Sequence, residues 1–201
     1  MRIILNHKGL EWTEAAPPDG YGSAAYKQIV PAGTVPAIIH GGLTLADSEA
    51  IAEYLDESFP TPPMMPADVT ARARARELSR FHDTRLEPVL RSFFGQVAPS
   101  GRDATFIAET GALLQARLDQ LATIAAPAPL LTGKYLAIAD CGFVASFGIL
   151  DLLRELLDLE VVLPHPIAAY ASALAAQGSV TEEDSRYRKA LRDWARTKGA
   201  L

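Results

Sequence analysis

Apolar and polar residues recur on two different scales along this chain, and the change falls near residue 60. Before it, short apolar runs are punctuated by Gly and Pro. The runs at 11–16, 35–40 and 43–46 read as strands. Gly41-Gly42 between the last two is a two-residue hairpin signal and predicts an antiparallel pair. Asp47 and Ser48 then supply cap chemistry for a helix over 49–59, with Ile51, Tyr54, Leu55 and Ser58 along one face at spacings of three and four. Pro60-Thr61-Pro62-Pro63 cannot continue a helix and reads as a linker. Beyond it the apolar period becomes helical. Long helices are predicted over 67–94, 102–125 and 138–157, and shorter ones over 166–176 and 182–196, with breaks at Pro99-Ser100-Gly101, Pro127-Ala128-Pro129, Pro164-His165-Pro166 and Gly178. The expected organisation is therefore an α/β domain over 1–60, a linker over 61–65 and an all-helical domain over 66–201.

Composition narrows the function classes. The 201 residues are 49% apolar and 21% charged, with a net charge of −5, which is ordinary for a globular protein and argues against a nucleic-acid partner. Arg72, Arg74 and Arg76 alternate with Ala and read as a solvated helix face or the rim of an interface. One cysteine, Cys141, rules out an internal disulfide and fits a reducing compartment, where it reads as a core thiol. No apolar run is long enough for a membrane span, and the N-terminus lacks the zones of a signal peptide, so a cytoplasmic protein with no membrane partner is expected. The four His residues show no metal-ligand spacing, and no metal is expected. His82, Arg85, Phe93 and Phe94, on the first long helix of the second domain, read as packing or solvated positions.

The segment from Gly33 to Pro60 carries the functional signal. Thr34-Val35-Pro36-Ala37-Ile38 precedes the strand pair. Leu45-Ala46-Asp47-Ser48-Glu49-Ala50-Ile51-Ala52-Glu53-Tyr54-Leu55 follows it and ends at Phe59-Pro60. This order resembles the glutathione-binding half of glutathione S-transferases. His7-Lys8-Gly9-Leu10-Glu11-Trp12 resembles the end of that family's first helix running into its second strand. Gly133-Lys134-Tyr135 to Ala139-Asp140 resembles the entry to the buried helix of its second domain.

The resemblance implies a thioredoxin-like first domain and a helical-bundle second domain. It implies a cis bond between Val35 and Pro36, with the Val35 main chain pairing glutathione as an added strand would. Ser48 and the first turn of its helix would receive the γ-glutamyl carboxylate, and Asp47 the α-ammonium. Where relatives have Glu at this place, Asp47 is one methylene shorter. Plain N-capping by Asp47 and Ser48 is the competing and compatible reading. Glutathione would be the co-substrate, a small electrophile the acceptor, and a homodimer the assembly.

Two places depart from the family. Met1-Arg2-Ile3-Ile4-Leu5-Asn6-His7-Lys8-Gly9 aligns with a first helix already under way, so the preceding strand and the thiol-activating Tyr, Ser or Cys have no counterpart and would lie upstream of Met1. The catalytic residue is thus unassigned, and little thiol transfer is expected from the 201 residues alone. The alternative for this stretch is a strand over 1–5 that hairpins into 10–16. At Ala137 relatives place Ser or Thr three residues before Asp140, so the cap of that helix lacks its hydroxyl. The expected function is thiol addition, transfer or thiol-assisted isomerisation. The alternative is a non-catalytic glutathione-binding or scaffold protein.

Overall fold

Gly41 and Gly42 both take positive φ, +55° and +85°, the conformation that a two-residue turn between twisted strands requires. The turn joins β1 (Ala37–His40) to β2 (Leu43–Ala46), which pair antiparallel with Ala37 opposite Ala46 and His40 opposite Leu43. These two strands are the whole sheet. The computed structural model describes residues 1–201, which divide into two compact units, Met1–Met64 and Met65–Leu201.

In the first unit, α1 (Arg2–His7) buries Ile3, Ile4 and Leu5. The helical reading of this stretch holds, and the alternative of a strand over 1–5 does not. Residues 11–16, expected as a strand, form none. A strand exists only against a partner, and no segment of the chain pairs with this one. Instead Arg2 holds it through a forked contact to Glu14, at 2.5 and 2.7 Å. A short helix that the apolar pattern did not announce, α2 (Ala24–Ile29), is capped by Ser23 and buries Tyr26, whose hydroxyl donates to the Thr34 carbonyl at 2.8 Å. α3 (Ser48–Ser58) buries Ile51, Ala52 and Leu55. Its Tyr54 meets His40 of β1, with Oη 2.8 Å from Nδ1. Lys8 fixes the end of the unit. Its ammonium is buried among Asp56 Oδ1 at 2.7 Å, the Phe59 carbonyl at 2.7 Å and the Pro62 carbonyl at 2.8 Å.

The second unit is helical throughout. The helix expected over 67–94 is interrupted. α4 (Val69–Phe81) passes through a π-helical turn (His82–Leu86) into α5 (Glu87–Ser92) and then a 3-10 turn (Phe93–Gln96). Pro88 has no N–H to return to the carbonyl four residues back, and its ring would crowd that carbonyl. The wider turn just before it relieves both problems. α6 (Ala104–Ile124) starts on an Asp103 cap and buries Leu114, Leu118 and Leu121 at helical spacing. α7 (Ile138–Leu157) is buried along most of its length, and its exposed Asp151 and Glu155 take ion pairs from Arg188 and Arg192. Around it lie α8 (His165–Ala175), which brings Tyr170 against Phe143 and Phe147, and α9 (Gly178–Thr197), which approaches α7 at Gly148 through Tyr187 and Leu191.

Asp140 is fully buried at the start of α7. It accepts from the main-chain N–H of Ala137 at 2.8 Å, that of Leu131 at 3.2 Å and the Tyr170 hydroxyl at 3.0 Å. The Ala137 side chain supplies no acceptor, so only the Asp half of the capping box exists. Between α7 and α8, the Gln115 side chain grips the main chain of Val162 twice, accepting its N–H at 2.8 Å and donating to its carbonyl at 3.0 Å.

Candidate functional site

The register of the hairpin decides what its open end brings together. Because Ala37 stands opposite Ala46, residues 35–36 enter the sheet where residues 47–48 leave it. Val35, Pro36, Asp47 and Ser48 therefore lie at one end of one hairpin. The Val35–Pro36 peptide is cis. Val35 is half exposed, and neither its N–H nor its carbonyl is paired within the protein. That leaves one short stretch of strand edge ready to pair with an extended peptide.

Asp47 adopts φ +84° and ψ +121°, uncommon for a residue with a side chain. In this conformation Oδ1 accepts from the main-chain N–H groups of Glu49 and Ala50, each at 3.0 Å, and caps α3. The capping reading therefore belongs to Asp47 and not to Ser48. It also trims the anion site expected at the helix start: two of the first-turn N–H groups are already taken. What stays open is the N–H and hydroxyl of exposed Ser48, neither of which has a partner in the protein, and Oδ2 of Asp47. A carboxylate acceptor beside a free hydroxyl and N–H is a pair of complementary half-sites, one for a cation and one for an anion.

One charge near this end was not anticipated. Lys27, in the last turn of α2, is exposed and makes no ion pair. Its stem lies against Gly33, where an added Cβ would stand 2.9 Å from Lys27 Cε. Gly33 has φ +64°, a conformation that calls for glycine. The sequence signal was present as a Gly two residues before Val35 and a Lys six before that, but only the unannounced helix α2 connects them. Elsewhere in the unit, an open hollow of about 650 Å³ lies beside Leu10, Glu11, Trp12 and Thr13, and none of the candidate residues lines it.

The other sequence candidates belong to the second unit. Cys141 lies in the first turn of α7 and donates weakly to the Ala137 carbonyl at 3.6 Å. Phe93 is buried, Phe94 packs on Trp194 with ring centroids 5.0 Å apart, and Arg85 is exposed. No three His, Cys, Asp or Glu residues converge as metal ligands would, and no helix is long and apolar enough to cross a membrane.

Comparison with known proteins bears on the family and the fold. The profile of the family "Glutathione S-transferase, N-terminal domain" matches residues 1–63. A maleylpyruvate isomerase from Ralstonia is 31% identical over 160 residues, which cover 72% of this chain and 73% of that protein. The chain belongs to the glutathione S-transferase superfamily. A stringent starvation protein A homolog from Pasteurella multocida is 34% identical over 144 residues, covering 70% of this chain but only 64% of the relative's length. Among solved structures, the holo form of a maleyl pyruvate isomerase, described as a bacterial glutathione S-transferase of the Zeta class, superposes with a TM-score of 0.71 at 26% identity. It covers 90% of this chain and 88% of its own. The small α/β unit followed by a helical unit is thus the architecture of this superfamily.

Proposed function

We propose that the protein binds glutathione at the open end of the hairpin and uses its thiol on a small electrophile, by addition, transfer or isomerisation. The observation that carries this reading is the juxtaposition of an unpaired Val35 main chain with the free hydroxyl and N–H of Ser48 and the unused oxygen of Asp47, fixed by the Ala37–Ala46 register. Glutathione offers the matching groups: an extended peptide for Val35, an α-carboxylate for Ser48 and an α-ammonium for Asp47. Lys27 is the cation for the carboxylate at the glycyl end. The kinship with a maleylpyruvate isomerase supports isomerisation as one form of the chemistry. The working assembly in this reading is a homodimer.

Titration calorimetry with glutathione tests the site. Ser48→Ala removes a hydroxyl with no partner in the protein, so stability is expected to change by less than about 0.5 kcal/mol. Affinity is expected to fall by about 1–3 kcal/mol, the range for a lost hydrogen bond to a charged group. An unchanged affinity, or no binding by the unmodified protein, would overturn the proposal.

A further inference from the structure

In the second unit, α4, the π-helical turn and α7 enclose a buried relay. His82 opens the π turn and is 4% exposed, and Ser146 on α7 is 2% exposed. His82 Nδ1 lies 2.7 Å from Asp83 Oδ1, and Nε2 lies 2.8 Å from Ser146 Oγ. A carboxylate only accepts, so Nδ1–H donates to Asp83, and Nε2 shares the second hydrogen bond with the Ser146 hydroxyl. The order Ser–His–Asp is that of a hydrolytic triad. Ser146, however, is closed off from any substrate, so its burial assigns the relay another task.

The packing shows what that task is. Gly142 and Ser146 are four residues apart and lie on the same face of α7. A Cβ on Gly142 would stand 2.6 Å from His82 Cε1 and 2.7 Å from Nδ1, so the imidazole fits only where glycine leaves a hole. Phe143 closes the cavity with its ring centroid 4.7 Å away. One turn of α7 thus provides both a socket and a hydrogen-bond partner for a single side chain. That side chain is the first residue of the π turn, whose i→i+5 bond runs from the Glu87 N–H to the His82 carbonyl. A π turn carries one residue more than the α-helix needs, and it persists only where something holds it. Pro88 makes the turn permissible by withholding an N–H, but it does not fix where the extra residue sits.

We infer that His82, seated on Gly142 and tied to Ser146 and Asp83, is a latch that fixes the helical register between α4 and α5. With the latch closed, the segment 83–92 is held to one orientation around the helix axis. With it open, that segment becomes a local opening unit within an otherwise intact helical core.

Amide hydrogen exchange on the full chain tests this. Ser146→Ala deletes the partner with minimal change in volume, and Gly142→Ala fills the socket. Each is expected to speed exchange at residues 83–92 by about tenfold or more, while amides of α6 and of α7 beyond residue 150 keep their protection. Nitrogen NMR of the imidazole in the unmodified protein supplies a reading that needs no variant. His82 is expected to carry a slowly exchanging Nδ1–H. Exchange that is unchanged at 83–92 in both variants, a rise spread evenly over the second unit, or a ring N–H that exchanges like that of an exposed histidine would each overturn the latch.

Discussion

Lys8 shows how much of a fold can hang on one side chain. Its stem and ammonium have no exposure, and three acceptors match the three N–H donors of the ammonium. Asp56 also accepts the Met64 N–H at 2.9 Å, so the same carboxylate serves both the lysine and the end of the unit. Lys8→Met would leave a nearly buried carboxylate and two carbonyls without their cation. A loss of about 3–5 kcal/mol is expected, as when one partner of a buried pair is removed. Urea unfolding of the two proteins checks it, and a loss under about 1 kcal/mol would mean that water or main-chain groups take over. Nothing in the sequence announces this lysine, because its partners stand 48 to 54 positions away and are mostly carbonyls. Ser146 escaped notice for the same reason, being 64 positions from His82. The proposed site positions Val35, Asp47 and Ser48 could be picked out because the features that bring them together are local: a hairpin turn, a register and a helix start lie within fifteen residues.

At the scale of elements, the start of α7 is held by electrostatics that depend on pH. Burial lifts the Asp140 carboxyl above the ordinary aspartate range, against the opposing pull of the Ala137 and Leu131 N–H groups and the Tyr170 hydroxyl. Burial also raises Tyr170, and the neighbouring Asp140 charge raises it further, so it stays a donor throughout the physiological range. An acid whose folded-state value is raised binds more protons folded than unfolded between the two values. Stability from this group therefore falls as pH rises through that window. Asp140→Asn removes the titration and replaces one accepting oxygen by an NH2 donor that faces a main-chain N–H, with an expected cost of about 1–3 kcal/mol. The stability gap between wild type and variant should be widest at acid pH, narrow as pH rises, and become constant above the raised value. Thermal unfolding across pH reads this directly, and a gap that widens with pH would contradict the assignment. Elements bounded by strong local signals, such as β2 and α7, were readable to the residue. The helix over 67–94 was not, because a proline that breaks a helix and one that a π turn absorbs look alike in sequence. Residues 11–16 have the composition of a strand but lack a partner, which composition does not reveal.

At the scale of the molecule, the two units divide the work. The proposed ligand groups all come from the first, whereas the second supplies the larger apolar core, centred on α7. The proposed homodimer has a direct test: light scattering at micromolar concentration is expected to give twice the chain mass of 21.6 kDa. A species of one chain mass would reject it. The two-part architecture was visible in the change of apolar period near residue 60, since that change follows from a different geometry of burial on either side.

The grip of Gln115 on the connection between α7 and α8 touches only main-chain atoms, and the Val162 side chain that it leaves over is 67% exposed. A residue held by its amide and carbonyl carries no requirement on its side chain. Position 162 is therefore a point of free variation on an ordered surface, where a fluorophore, an affinity tether or a spin label can be carried at a fixed place without the fold registering the cargo.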